Sequence, residues 1–151
     1  MPGYMKKVMI AITIVLSLYL IVAGGLSKTV SNAQENRGMD KSKLLVVWTS
    51  GDKEVAMKMV YMYTYNAKKQ GWFDEVRFLI WGPSSRLLAA DKELQEYLGR
   101  MKEEGVELLA CKACADMYGV SDRLAEMGVD VQYMGRPFTD MLKSDWATVT
   151  F

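Results

Sequence analysis

The chain of 151 residues contains no histidine, only two cysteines and only three prolines. Without histidine neither a Ser-His-Asp nor a Cys-His relay can be assembled, so any nucleophile here works without an imidazole base. Two cysteines permit at most one internal disulfide, which excludes a disulfide-stapled scaffold. Two thiolates also fall short of a tetrahedral zinc shell, although a site shared between subunits stays open. No metal or cofactor is therefore expected. The "TSGD" segment at 49–52 is too short for a phosphate-binding loop and lacks a following Gly-Lys-Ser/Thr. Strong positive charge is missing as well. The formal net charge is +1, but residues 1–33 hold Lys6, Lys7 and Lys28 with no acid, which leaves 16 basic against 18 acidic residues, a net of −2, over 34–151. A slightly acidic domain lacks the field that binds phosphate backbones, so nucleic acid is not an expected partner. Half of the residues are apolar, enough for the core of one domain.

What is present begins with a distinct N-terminal segment. Lys6 and Lys7 precede "VMIAITIVLSLYLIVA" at 8–23, in which Thr13 and Ser17 are the only weakly polar members. A charged start, an apolar stretch and then small residues form the layout of a secretory signal, with cleavage patterns at Ala23-Gly24-Gly25 or at Ser31-Asn32-Ala33. The stretch is long for a signal and slightly short for a membrane span, so an uncleaved anchor at 8–25 is the rival reading. Lys6 and Lys7 would then stay inside. Either way the expectation is an exported, periplasmic or extracytoplasmic domain. Residues 1–25 read as signal peptide or membrane anchor, 26–42 as a polar linker, and 43–151 as the folded domain.

From Lys43 onward, apolar strand-like runs alternate with amphipathic stretches. Strands are expected at 43–50, 75–82, 106–110, 129–135 and 147–151. Helices are expected at 53–69 behind an Asp52 cap, over 84–90 and 91–105, at 121–128, and at 137–144 with Pro137 in the first helical position. This alternation predicts an α/β domain with a mainly parallel five-stranded sheet covered on both faces. In such sheets, sites form beyond the carboxyl ends of the strands. That rule gathers three loops: Thr49 to Asp52, Gly82 to Ser85, and Cys111 to Cys114.

Both cysteines sit in "LLACKACADMYGV" at 108–120, three positions apart. Cys111 follows a buried strand, and Cys114 falls in the first turn of the next helix. Unpaired backbone N–H groups and the positive helix end there favour the thiolate, the nucleophilic form. Lys112 adds to this effect and Asp116 opposes it weakly. Positions i and i+3 share a helix face, so the two sulfurs can also close into a disulfide. Buried packing is the alternative use of such cysteines. Ser50, Gly51, Trp81, Gly82 and Pro83 are the pocket candidates beside the thiols. Trp81 either walls the pocket or packs into the core. Asp52 reads as a helix cap, and Tyr118 as a packing residue. Met57, Met59 and Met62 in "MKMVYMYTY" read as core or subunit interface rather than as soft copper ligands.

Residues 43–151 resemble the DsrE/DsrF-like family of small sulfur-relay and sulfur-oxidation proteins. The residues that carry the likeness are "LLVVWTS", "VRFLIWGPS" and above all "VELLACKACADMYGV". The resemblance implies a three-layer α/β/α fold and assembly as a homo-oligomer, either trimer or hexamer. It also implies sulfane sulfur as cargo, carried as a persulfide on Cys111, which stands eight residues before Gly119-Val120. Cys114 sits where some members hold a second cysteine. The expected function is a persulfide carrier or sulfurtransferase with Cys114 as resolving thiol, exchanging sulfur with donor and acceptor proteins or small polysulfides. Two alternatives stay open: an exported thiol–disulfide oxidoreductase cycling Cys111–Cys114, and a non-catalytic oligomeric binding module.

Overall fold

A computed structural model describes residues 42–151. The expected signal or anchor segment, and the linker before Ser42, lie outside the described residues. Five strands form the sheet: β1 Lys43–Trp48, β2 Glu75–Ile80, β3 Glu107–Cys111, β4 Asp130–Gln132 and β5 Trp146–Thr150. They pair in the order β4-β3-β2-β1-β5, and every pairing is parallel. Central strands buried on both faces read as unbroken apolar runs. In β1 all five residues from Leu44 to Trp48 are buried.

Helix α1 is continuous through Lys53–Val55, Ala56–Tyr61 and Met62–Lys69, and its middle section is π-helical. The others are α2 Pro83–Ala90, α3 Lys92–Glu103, α4 Lys112–Met117, α5 Ser121–Glu126 and α6 Gly135–Leu142. The strands from β1 to β4 step in one direction across the sheet, so right-handed crossovers put α1 to α5 on one face. The step from β4 back to β5 runs the opposite way and sends α6 to the other face. The buried side chains divide accordingly. Leu44, Val46, Trp48, Phe78, Ile80, Leu108 and Ala110 pack with residues of α1 to α5. Leu45, Val47, Leu79, Leu109, Cys111 and Trp146 pack with Met134 and Met141. The three layers are therefore unequal: among the described residues, α6 alone covers the second face.

The π-turn has a packing cause. Its i→i+5 repeat brings Ala56 and Tyr61 into line, and both are fully buried together with Val60. Tyr61 thereby meets Trp48 edge-on at 5.3 Å and Phe78 at 5.3 Å between ring centroids, while Trp48 stacks on Phe78 at 5.8 Å. Asp52 caps α1 as expected, accepting from the N–H groups of Glu54 at 2.7 Å and Val55 at 3.0 Å. Asp91 ends α2 and also caps α3, accepting from Leu94 N–H at 3.1 Å.

Several boundaries shift by a residue or two, β1 and β2 ending at Trp48 and Ile80, and two shifts near the site have a packing reason. The strand expected over 129–135 shortens to Asp130–Gln132, because Met134 turns beneath the sheet to a 1% exposed position ahead of α6. Pro137 is the third residue of α6 rather than the first. It still lies in the opening turn, where no intrahelical partner awaits an N–H. The methionines also separate. Met57 packs against the core, whereas Met59 and Met62 are each 51% exposed, so neither is core.

Candidate functional site

Along β3 the side chains alternate: Leu108 and Ala110 join the first core, Leu109 and Cys111 the second. Cys111 is the last residue of β3, pairs with Gln132 of β4, and is also the residue from which α4 starts. It is 5% exposed. Cys114 lies one turn into α4 and remains partly exposed. Its sulfur faces both the Cys111 sulfur and the backbone N–H of Gly82. Both thiols are free.

The end of α4 explains the Gly-Val pair that follows the cysteines. Gly119 takes a left-handed backbone, φ 65°, its N–H donates to Asp116 O at 3.0 Å, and Val120 N–H donates to Ala115 O at 2.9 Å. This double bond pattern is a Schellman stop. It limits α4 to six residues and holds Cys114 close to Cys111.

The wall comes from β2. Ile80 pairs with Ala110, so one further step in register sets Trp81 beside Cys111 on the second face. Trp81 and Cys114 both pack against that cluster, and so does Phe138 of α6. The Trp81 and Phe138 rings meet edge to face at 5.0 Å. After Trp81 the chain turns through Gly82 at φ 74°, ψ −133°, a conformation that only glycine adopts without strain. Buried Ser84 locks the turn: its hydroxyl donates to Trp48 O at 2.7 Å and accepts from Trp81 N–H at 3.1 Å. The Gly51 backbone runs alongside, where an added Cβ would stand 3.3 Å from Pro83 Cβ. The Ser50 hydroxyl turns into its own loop and accepts from Asp52 N–H at 3.0 Å. Trp81, Gly82 and the thiols thus come together, with Pro83, Gly51 and Ser50 forming the rim behind them.

The electrostatics depart from expectation in two respects. Burial pushes the Cys114 thiol up, the Cys111 sulfur adds to the rise, and the Gly82 N–H only partly offsets it. A six-residue helix has little dipole to set against desolvation. Lys112 does not attend the thiols either. Its Nζ lies 2.8 Å from both carboxylate oxygens of Asp116, and it borders a surface depression with Asp116, Gly119, Ser121 and Asp122. This pair lowers the Asp116 pKa, with help from the Ser121 hydroxyl. Tyr118 also lies outside the thiol site, with the Arg86 guanidinium 5.4 Å above its ring.

Sequence reading missed Met134, Phe138 and Ser84. The first two were legible as part of an i, i+4, i+7 apolar stripe, Met134-Phe138-Met141, but placing that stripe over the cysteines requires the strand order. Nothing local marks Ser84.

The family model for DsrE/DsrF-like proteins matches residues 43–151. The chain belongs to the DsrE/DsrF-like family. Within it, sulfur relay is the general theme. The domain is similar to the solved structure of BT1422, a conserved protein of unknown function from Bacteroides thetaiotaomicron. The two share 31% identity over 76% of this chain and 99% of that one, with a TM-score of 0.72. It also resembles the ychN protein of E. coli in fold, at 18% identity and a TM-score of 0.56, over 72% of this chain and 99% of that one. No curated protein matches the chain.

Proposed function

We propose that this DsrE/DsrF-like protein carries sulfane sulfur as a persulfide on Cys111, with Cys114 as its partner thiol. We further propose that it works outside the cytoplasm as a homo-oligomer, exchanging sulfur with small polysulfides or with donor and acceptor proteins. The observation that carries the reading is the juxtaposition of two free thiols at the carboxyl edge of a parallel sheet, one of them 5% exposed within an apolar cluster. Sulfur–sulfur exchange needs a thiolate and a sulfur leaving group, and neither a metal nor an imidazole. An apolar wall of Leu109, Met134, Trp81 and Phe138 suits a polarisable sulfur atom and restricts its loss to water.

Intact mass of the reduced full-length protein after exposure to inorganic polysulfide tests the reading. The expected result is a gain of whole sulfur atoms that Cys111→Ser prevents from persisting. A second reading, thiol–disulfide exchange, draws support from the nearness of the two free thiols. It predicts instead that wild type loses two hydrogens and never holds sulfur, an outcome that would sink the carrier proposal.

A further inference from the structure

The two sulfurs that the proposed function uses differ in access, and the difference is built into the fold. Cys111 is 5% exposed and belongs to the second-face core with Leu109 and Met134. Trp81 stands beside it, and the Phe138 ring closes on Trp81 at 5.0 Å. Cys114 is partly exposed, packs on the outside of that cluster, and lies near enough to the Cys111 sulfur to feel it electrostatically. A donor of any size meets Cys114 first.

We propose that Cys114 is the first sulfur acceptor, that Cys111 receives sulfur from it, and that the Trp81–Phe138 pair is the barrier enforcing this order. This rests on the carrier reading and names its sequence of steps. The Cys114 thiolate attacks the outer sulfur of a small organic persulfide R–S–SH. A Cys114 S–S bond forms, the R–S bond breaks, and the thiolate R–S⁻ leaves to take up a proton. The Cys111 thiolate then attacks the outer sulfur on Cys114. A Cys111 S–S bond forms, and Cys114 departs as thiolate, ready for the next donor. One S–S bond is exchanged for another at each step, so no external oxidant or reductant is consumed. Gly82 is a positioning residue in this scheme: its N–H faces the Cys114 sulfur, the group that is thiolate before the first step and after the second.

The probe is glutathione persulfide, and the readout is rapid-quench intact mass with peptide mapping of the full-length protein. Wild type is expected to hold its sulfur on Cys111, whereas in Cys111→Ser the sulfur maps to Cys114 and is then lost, because no thiolate takes it inward. Cys114→Ser is expected to load at least about tenfold more slowly, the factor set by an opening cost of roughly 1.4 kcal/mol. The double variant Cys114→Ser/Phe138→Ala should recover rate, because the opened wall exposes Cys111 directly. A merely structural role for Cys114 would not produce that rescue. The inference is overturned if Cys114→Ser loads as fast as wild type, or if removing Phe138 restores nothing. If wild type itself takes up no sulfur, the carrier reading fails, a result separate from either of those.

Discussion

Cys114 shows how little a helix start can do for a thiol once burial is set against it. Its pKa lies above the ordinary 9.0, because desolvation and the neighbouring Cys111 sulfur outweigh the Gly82 amide. Alkylation of Cys114 by iodoacetamide, followed by peptide mapping across pH, should therefore reach half its maximal rate above pH 9.0. Gly82→Ala sharpens the test. No atom obstructs the added methyl, but φ of 74° strains any other residue. The strain costs about 1–3 kcal/mol, read as a lower denaturation midpoint. Relaxation that turns the N–H from the sulfur should move the alkylation half-point further up in pH; a downward move would show that the amide does not serve the thiolate. Ser84→Ala removes the hydroxyl that holds Trp48 O and Trp81 N–H at the ends of β1 and β2. Trp81 N–H still donates to Trp48 O at 3.0 Å, so the loss should be that of the hydroxyl's own bond, about 0.5–1.5 kcal/mol in chemical denaturation. Gly82 is legible as a pocket candidate but its left-handed backbone is not, and Ser84 reads only as one of two adjacent serines.

At the level of elements, the break between two helices after residue 90 was readable, whereas the capping role of Asp91 was not. A single short polar side chain both ends α2 and caps α3, so two helices replace one long one. Lys53, the first residue of α1, adds an ion pair to Asp91 at 2.8 Å and another to Glu93 at 2.8 Å. The Lys53 bond is the largest reason that the Asp91 carboxyl titrates below its ordinary 3.8, followed by the Leu94 N–H. A depressed folded-state pKa contributes stability that is complete above the unfolded-state value and lost as pH falls through the folded-state value. The stability gap between wild type and Asp91→Ala should thus be full at neutral pH, at about 1 kcal/mol for a lost cap, and should close below pH 3.8. Urea midpoints at a series of pH values measure it; a gap independent of pH would assign the effect to helix propensity alone. The π-turn of α1 was illegible by contrast. Ala56, Val60 and Tyr61 fit ordinary helical periodicity about as well, and only the position of the Trp48 and Phe78 rings selects the wider turn.

Across the whole molecule, alternation of strands and helices was enough to read an α/β sheet, because strands buried on both faces leave continuous apolar runs. The site was half legible for the same reason. Loops after β1, β2 and β3 meet in any parallel sheet, which places Cys111, Cys114, Trp81 and Gly82 together. What covers them depends on the single reversal of strand order before β5, a long-range fact with no local signature. That reversal leaves one face to α6 alone among the described residues, while α1 on the other face carries Met59 and Met62 outward at 51% exposure each. The two thioethers stand three residues apart, both exposed, where the π-helical section passes into α-helix. The Met62 side chain is half-exposed, and its carbonyl accepts from the Asn66 amide at 2.8 Å. The proposed homo-oligomer gives this pair a use, and sedimentation of wild type should report three or six protomer masses. Met59→Lys/Met62→Lys should lower that mass to one protomer without changing the circular dichroism spectrum, because lysine stems at half-exposed helix positions leave the protomer intact. A monomeric wild type would remove the oligomer from the proposal. An oligomeric double variant would move the contact away from α1, leaving the thinly covered face of the sheet as the surface to test next.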